Sequence, residues 1–358
     1  MHHLRWFLIG LILLATCSVA TAQQVKYPPP AEVKTAFLKL LDRPKVPLDI
    51  QRQESSKTPE GFIQEVFTLA TEKKADGTLE RMPALLVKPD EGSQRRPAVI
   101  VLHGTGGNKE GQRAWLVNLA KQGIIGVAID ARFHGARSGG AAGSNAYQDA
   151  IVRAWKSKPG EPQEHPFYFD TCWDLWRLID YLATRDDVDA ARLGMIGFSM
   201  GGIQTWLAAA VDERIKVAVP AIAAQSYRWS LENDAWQGRA RTIKLAHDTA
   251  AQDLGEAAVN QHVCRELWNK IIPGMLDQFD CPSMLRLFAS RPLLIVSGEL
   301  DPNCPLGGAK LAFASAAAAY QSAGQSDLLK IDVALGVAHK VTDEQHKLAL
   351  DWFVRWLR

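Results

Sequence analysis

The stretch that decides the fold is RLGMIGFSMGGIQTWLA, residues 192–208. Its first part is a short apolar run that predicts a buried β-strand, and its last part has the composition of a helix. Between them, Gly197, Ser199 and Gly201 form the pattern G-x-S-x-G. This pattern needs both glycines because a strand that turns sharply into a helix exposes the serine at a strained tip. Ser199 is therefore the candidate nucleophile.

The segments around this stretch alternate between buried runs and amphipathic helices. An antiparallel hairpin, residues 61–71 and 79–88, precedes the alternation. Such alternation predicts an α/β fold with a mostly parallel, doubly wound sheet covered on both faces. The predicted strands after the hairpin are 96–103, 124–130, 193–198, 215–219, 292–297 and 328–333, and the predicted helices are 113–122, 169–185, 199–211, 310–322 and 343–357.

A serine hydroxyl is a weak nucleophile unless an imidazole takes its proton, and His339 is the candidate base. It follows the last predicted strand and precedes the C-terminal helix, so that a short loop returns it to the carboxyl edge of the sheet. His346 falls inside that helix, while His247 and His262 fall in an insertion. We interpret these three as surface or insertion residues.

The imidazole in turn needs a carboxylate that fixes its tautomer and stabilises its positive charge. Two acids lie in the turn-rich loop GELDPNCP, residues 298–305. Asp301, with a glycine three positions before it and a proline four after, is the preferred candidate. Glu299 is the alternative, and the acid that is not used is expected to be a solvated loop charge.

Two backbone N–H groups should receive the negative charge of a tetrahedral intermediate. One is that of Met200, which starts the helix after the nucleophile. The other is expected from the loop HGTGG, residues 103–107, at the end of the first parallel strand, with Thr105 as the donor.

One segment, residues 222–290, interrupts the alternation of strands and helices. It is rich in Trp, Gln, Arg and Ala, and it is too long for an ordinary connection. We expect a lid or cap built from helices around 242–253, 256–270 and 284–287.

The N-terminus carries the pattern of a signal peptide over residues 1–22. A positively charged start and an apolar run lead to Ala20-Thr21-Ala22, which fits a cleavage site and predicts a periplasmic or secreted protein. A membrane anchor is the alternative, but the apolar run is shorter than the ~20 residues that span a bilayer. A lipoprotein box at Cys17 is a further alternative. Residues 23–59 are expected to form an irregular lead-in with one helix near 31–41.

Composition limits the partners of this chain. The formal net charge of the 358 residues is +2, which gives no reason to expect nucleic acid. No metal-binding spacing such as C-x-x-C or H-E-x-x-H occurs, and we expect no cofactor. The remaining cysteines are Cys172, Cys264, Cys281 and Cys304. Cys264 and Cys281 are the closest pair and the first candidate for a disulfide, with four buried thiols as an equal alternative.

Together these residues resemble the α/β-hydrolase superfamily, whose chain order of nucleophile, acid and base they follow. DARFHGARS (130–138), FDTCWD (169–174) and DVDAARLG (187–194) look like the dienelactone hydrolase and acetyl xylan esterase branches. Dienelactone hydrolases use a cysteine where this chain has Ser199, and acetyl xylan esterases carry a tyrosine where it has Thr105. Both departures argue against those particular substrates.

The resemblance implies that residues 130–138 are a structural turn beside the site. Arg132 then belongs to the scaffold, with contact to an anionic substrate as the alternative.

The function these residues predict is hydrolysis of a small or compact carboxylic ester through an acyl-enzyme intermediate. A serine peptidase of the prolyl oligopeptidase type is the alternative, disfavoured because only a short lead-in stands where those enzymes have a β-propeller. A non-catalytic binding protein of the same fold is a third interpretation, and the presence of all three triad residues argues against it. The expected partner is a small-molecule ester, with no nucleic acid and no membrane span.

Overall fold

A computed structural model describes residues 26–90 and 94–358. Within these ranges nine strands form one sheet. In chain order the strands are β1 (Gln51–Lys57), β2 (Ile63–Lys73), β3 (Leu79–Lys88), β4 (Arg96–Leu102), β5 (Ile125–Ile129), β6 (Val188–Phe198), β7 (Ile215–Ala221), β8 (Leu293–Gly298) and β9 (Leu329–Ala334).

The order across the sheet is β1-β2-β3-β5-β4-β6-β7-β8-β9. The first three strands and the β3–β5 pair are antiparallel, and every pair from β5 to β9 is parallel. The predicted hairpin and mostly parallel sheet are therefore confirmed. In the register of the parallel part, Leu102 lies opposite Gly197 and Gly298 lies opposite Ala334. Consequently the loops that leave β4, β6, β8 and β9 meet at one edge.

Helices cover both faces of the sheet. One hydrophobic core contains buried side chains of α1, α4, α5 and α11, such as Phe37 and Trp206, and a second contains side chains of α2 and α12, such as Leu116 and Phe353. The helices are α1 (Pro30–Leu40), α2 (Arg113–Lys121), α3 (Asn145–Lys156), α4 (Phe169–Thr184), α5 (Met200–Val211), α6 (Tyr227–Glu232), α7 (Gln237–Arg241), α8 (Lys244–Asp253), α9 (Gln261–Ile271), α10 (Cys281–Leu285), α11 (Leu306–Ser322) and α12 (Asp343–Leu357).

Two parts of the chain differ from the sequence-based expectation. The lead-in contains α1 as expected, but it also contributes β1 to the edge of the sheet. The helix α3 was not expected, and it packs against α8 and α9 of the insertion. Residues 222–290, which we call the helical insertion, contain α6 to α10, and α6 and α7 are additions to the three predicted helices.

The predicted signal peptide, residues 1–22, and the lipoprotein alternative at Cys17 lie outside the described residues. Within residues 26–90 and 94–358, no helix is both long and apolar enough to cross a bilayer.

Candidate active site

Ser199 stands at a sharp turn between β6 and α5. Its backbone has φ +53° and ψ −112°, a strained conformation for a non-glycine residue. The neighbouring glycines permit this turn: a Cβ on Gly197 would lie 2.1 Å from the Gly201 carbonyl oxygen. The Ser199 N–H donates to the carbonyl oxygen of Ala221 at 3.0 Å, which fastens the turn to β7. The strand, turn and helix therefore follow the predicted arrangement.

The structure brings the three predicted triad residues together. His339 Nε2 lies 2.8 Å from Ser199 Oγ, and His339 Nδ1 lies 2.7 Å from Asp301 Oδ2. A carboxylate can only accept, so Nδ1 carries the imidazole proton and Nε2 is left as the acceptor for the serine hydroxyl. This is the tautomer that a general base requires.

The Asp301 carboxylate is buried and held on both of its oxygens. While Oδ2 faces His339, Oδ1 accepts the backbone N–H groups of Asn303 at 2.8 Å and Cys304 at 3.0 Å. The alternative acid, Glu299, instead accepts the N–H of Gly336 at 2.8 Å. The structure therefore places Asp301 next to the base, whereas Glu299 of the same loop binds the backbone of the loop that carries His339.

The loop that carries His339 is tied to the sheet where α12 begins. Thr342 and Gln345 form a capping box, in which the side chain of each residue accepts a hydrogen bond from the backbone N–H of the other. The Gln345 side chain also donates to the carbonyl oxygen of Ser297 on β8 at 3.1 Å. These bonds fix the C-terminal side of the base loop.

The loop predicted to supply an oxyanion donor passes directly beside the nucleophile. A Cβ on Gly104 would lie 3.6 Å from Ser199 Cβ, and the Gly107 N–H closes the turn on the carbonyl oxygen of Gly104 at 3.0 Å. Thr105 lies within this turn, and Met200 is the first residue of α5, where backbone N–H groups lack a partner inside the helix. Met200 and Gly104, the residue before the predicted donor Thr105, therefore both adjoin Ser199.

His103 fixes this loop and is held neutral. Its Nε2 accepts the N–H of Ala131 at 3.1 Å, so Nδ1 carries the proton and donates to the carbonyl oxygen of Gly104 at 2.8 Å. Burial lowers the pKa of His103 and, with His103 as a neighbour, lowers the pKa of His134 to about 4. Both are therefore scaffold residues at neutral pH.

The three alternative histidines that the sequence offered, His247, His262 and His346, have partners outside the triad. His247 is buried in the insertion against Trp268, with Nε2 accepting the indole N–H at 3.0 Å. His262 is exposed and pairs with Glu256, and His346 on α12 lies 3.2 Å from the indole nitrogen of Trp115.

Arg132 belongs to the scaffold. It is buried, and its guanidinium makes two bonds to Asp174, at 3.1 and 2.9 Å, and one to Glu72 at 2.6 Å. Arg137 donates to the same Asp174 carboxylate at 2.8 Å. Burial alone raises the pKa of Asp174, but the two guanidinium groups outweigh it and hold the pKa well below the usual range. The network pins residues 130–138 onto α4 and leaves Arg132 no exposed face for a substrate.

Replacing Asp174 by asparagine is expected to lower the free energy of unfolding by about 3 kcal/mol, because two buried guanidinium groups lose their shared anion. The folded pKa of Asp174 lies below the unfolded value of about 4, so its stabilisation is present above that pH and is lost as the pH falls below it. Urea unfolding at pH 3 to 7 checks this. The variant should show less acid destabilisation than the wild type, and the exposed Asp327→Asn is the control.

The expected Cys264–Cys281 disulfide is wrong. Cys172, Cys264, Cys281 and Cys304 are all free thiols and all buried. Cys264 lies on the buried face of α9, and Cys281 is the buried first residue of α10. Each side chain therefore packs in the hydrophobic core. The alternative of small buried thiols is the one the structure shows.

A donor set beside the triad was not recognised in the sequence. Polar atoms of Asp301, Cys304 and His339 lie within 4.8 Å of one another, which is close enough to hold a metal ion. Each atom already has another partner: His339 bonds Asp301 and Ser199, and the Cys304 sulfur lies 3.3 Å from the Arg239 guanidinium. A cation beside the sulfur disfavours a metal ion, so these contacts fit a triad better than a metal centre.

A serine at a strand-to-helix turn, bonded to a histidine on a mostly parallel sheet, defines a class: this is a serine hydrolase with the α/β-hydrolase fold. Residues 48–228 match the acetyl xylan esterase (AXE1) family. Because the match extends over half of the chain, the chain belongs to this family, and it is a carboxylic ester hydrolase.

Individual proteins are similar to this chain in sequence or in fold. The chain is 25% identical over 292 residues to the Bacillus subtilis (strain 168) protein named "Putative hydrolase YtaP", covering 78% of this chain and 84% of that one. Acetyl xylan esterase 1 from Thermoanaerobacterium sp. JW/SL YS485 has the same fold, with a TM-score of 0.66, 20% identity, and coverage of 94% and 96%. A glucuronoyl esterase from Solibacter usitatus follows with a TM-score of 0.62, 18% identity, and coverage of 91% and 92%.

Proposed function

We propose that this esterase cleaves small or compact acyl esters through an acyl-enzyme on Ser199. In this proposal His339 is the general base and acid, Asp301 orients it, and the N–H groups of Met200 and Thr105 form the oxyanion hole. The observation that carries the proposal is the continuous hydrogen-bonded chain from Ser199 Oγ through His339 to Asp301.

In the first step, Ser199 Oγ attacks the ester carbonyl carbon while its proton moves to His339 Nε2. The imidazolium that forms is stabilised by Asp301, which stays ionised and keeps the ring in place. The carbonyl oxygen gains negative charge, which the oxyanion donors receive. His339 then gives the proton to the leaving alcohol, and the acyl group remains on Ser199.

In the second step, water takes the place of the alcohol. His339 Nε2 accepts a proton from the water as it attacks the acyl carbon, and returns the proton to Ser199 Oγ as the ester bond breaks. The carboxylic acid leaves and the free enzyme is restored.

The surroundings of the oxyanion loop support a short acyl group. Buried aromatic rings pack against His103 at the start of this loop: the ring centroids of His103 and His134 lie 5.2 Å apart, and those of His134 and Tyr147 lie 4.6 Å apart. In the helical insertion, Leu245 is the one large hydrophobic residue that is exposed. The broad apolar face of a lipase is therefore not present in this segment.

The family name points to an acetyl ester, the shortest of these substrates after formyl. Export, expected from residues 1–22, would suit a substrate outside the cytoplasm, and we propose it together with the activity. The peptidase alternative gains no support from the relatives, which are hydrolases and esterases.

A series of p-nitrophenyl esters tests the substrate class. We expect kcat/KM for the acetyl and butyryl esters to exceed that for the palmitoyl ester by roughly tenfold or more, because a site for a compact acyl group, as proposed here, cannot enclose the long chain. Peptide p-nitroanilides should be cleaved more slowly still, since an amine is a poor leaving group. Ser199→Ala provides the blank. Faster turnover of palmitoyl or peptide substrates would refute the proposal and favour a lipase or a peptidase.

A further inference from the structure

Arg239 of α7 reaches from the helical insertion to the loop that carries the triad acid. It is only 2% exposed. Its Nη2 donates to the carbonyl oxygen of Asn303 at 3.0 Å and lies 3.3 Å from Cys304 Sγ, while Nη1 lies 3.5 Å from the Tyr168 hydroxyl. Arg239 therefore binds Asn303 and Cys304, the two residues whose backbone N–H groups donate to the Asp301 carboxylate.

The partners of this buried cation are neutral. In the amide orientation that satisfies both of its polar atoms, the Gln225 side-chain oxygen accepts from Arg239 Nε at 3.1 Å. The guanidinium lies 5.9 Å from the centroid of the Tyr227 ring. In residues 26–90 and 94–358, no carboxylate lies within 4.0 Å of Arg239. Buried arginines are usually paired, so the structure keeps an unneutralised positive charge behind the triad.

The backbone of α7 is also pressed against the acid loop. A Cβ on Gly238 would lie 1.9 Å from the carbonyl oxygen of Pro302, so only glycine permits this approach. On its other side the loop is held by the Cys304 thiol, which donates to the carbonyl oxygen of Ile222 at 3.3 Å. The end of β7, the acid loop and α7 thus form one contact.

We propose that Arg239 is a positioning residue of the catalytic triad, which acts on His339 through the Asp301 loop. The proposal rests on the triad roles proposed above. The guanidinium donors of Arg239 fix Asn303 and Cys304, and the backbone N–H groups of these two residues in turn orient the Asp301 carboxylate. A displaced carboxylate misplaces His339 relative to Ser199 Oγ.

Few other groups near the triad can change charge. Burial raises the pKa values of Tyr168 and Tyr227 and raises the pKa of Cys304 to about 12, so all three are neutral between pH 5 and 9. On the acid and base loops the remaining charged side chains are Glu299, bonded to Gly336, and the exposed Lys340. A substitution of Arg239 should therefore act on the triad mainly through the Asp301 loop that it contacts.

The test compares Arg239→Gln and Arg239→Lys, with Arg241→Gln as the control, since Arg241 is on the same helix and exposed. Both kcat and KM for p-nitrophenyl acetate are measured, with kcat normalised to sites titrated with a fluorophosphonate. For Arg239→Gln we expect a loss of roughly 10²-fold, because a small displacement of the acid misplaces the base. The loss should fall on kcat rather than on KM, because the buried Arg239 acts through the triad and not on substrate binding.

Arg239→Lys should lose only roughly tenfold in kcat/KM, because an ammonium keeps the positive charge but cannot reproduce the fork of donors. A residue that only stabilised the fold would change the number of titrated sites and leave kcat per titrated site unchanged. A wild-type kcat per titrated site in Arg239→Gln would overturn the proposal.

If Arg239→Gln does not fold, Arg239→Lys decides, and an unchanged kcat/KM in that variant would overturn it. Failure of the proposed function would show separately, as persistent activity in Ser199→Ala whatever the result at position 239.

Discussion

Ser199→Ala and His339→Ala are each expected to lower kcat by about 10⁴- to 10⁶-fold while the fold persists. The two side chains form one proton-transfer unit, joined by the 2.8 Å contact between Ser199 Oγ and His339 Nε2. Without the hydroxyl no acyl-enzyme can form, and without the imidazole the hydroxyl keeps its proton. Steady-state hydrolysis of p-nitrophenyl acetate measures the loss.

The double variant separates a shared role from two independent ones. If the residues act as a unit, removing both should cost about as much as removing either. Circular dichroism and thermal unfolding show that each variant is folded, and a fluorophosphonate probe should label the wild type but not Ser199→Ala. Either single variant retaining more than about a tenth of the wild-type kcat would contradict the assignment.

Asp301→Asn is expected to lower kcat by about 10⁴-fold, nearly as much as loss of the base. An asparagine can offer His339 an N–H in place of an acceptor, which favours the wrong tautomer and leaves the imidazolium unpaired. Glu299→Gln is the matched control, because a glutamine oxygen can still accept the Gly336 N–H that Glu299 binds. Its kcat should stay within about twofold of the wild type, as for a half-buried side chain whose one contact is preserved.

The same pair of variants also tests the choice of acid. A severe loss in Glu299→Gln with a mild one in Asp301→Asn would move the acid role to Glu299. The structure gives that outcome no geometric support, because the carboxylate that faces His339 Nδ1 at 2.7 Å belongs to Asp301.

The positions of Ser199, Asp301 and His339 could be predicted because each depends on local sequence. Two glycines flank the serine at a strand end, and the acid and the base follow other strands of the same parallel sheet. Carboxyl ends of parallel strands lie at one edge, so chain order alone brings these loops together. The strands pair in a register that brings the three side chains within hydrogen-bonding distance.

Other elements carried no such local pattern. β1 is an edge strand with almost every side chain exposed, so its sequence QRQESSK shows no apolar alternation. α3 buries Tyr147, Ile151 and Ala154 at helical spacing, but it follows a glycine-rich turn and precedes a proline-rich one. Those neighbours suggest a loop, and the helix is stabilised by packing on α8 and α9.

Arg239 and the cysteines depended on contacts that the sequence does not encode locally. The four thiols pack into separate parts of the core, and spacing along the chain says nothing about that. Arg239 lies in a short helix of five residues, over 60 positions from the loop it binds. No motif distinguishes it from the exposed Arg241 two residues later.

The contact of Gly238 with Pro302 also has a consequence for engineering this enzyme. Segments inserted into α/β-hydrolases are attractive units to exchange between relatives when specificity is to be changed. Here one helix of the insertion lies flush against the acid loop, with no room even for a methyl group. A graft that replaced residues 222–290 alone would lose this fit, whereas a graft extending through Cys304 would carry both surfaces from the same donor. The boundary of the exchangeable segment therefore lies beyond β8, after the triad acid, and not at the end of the helices.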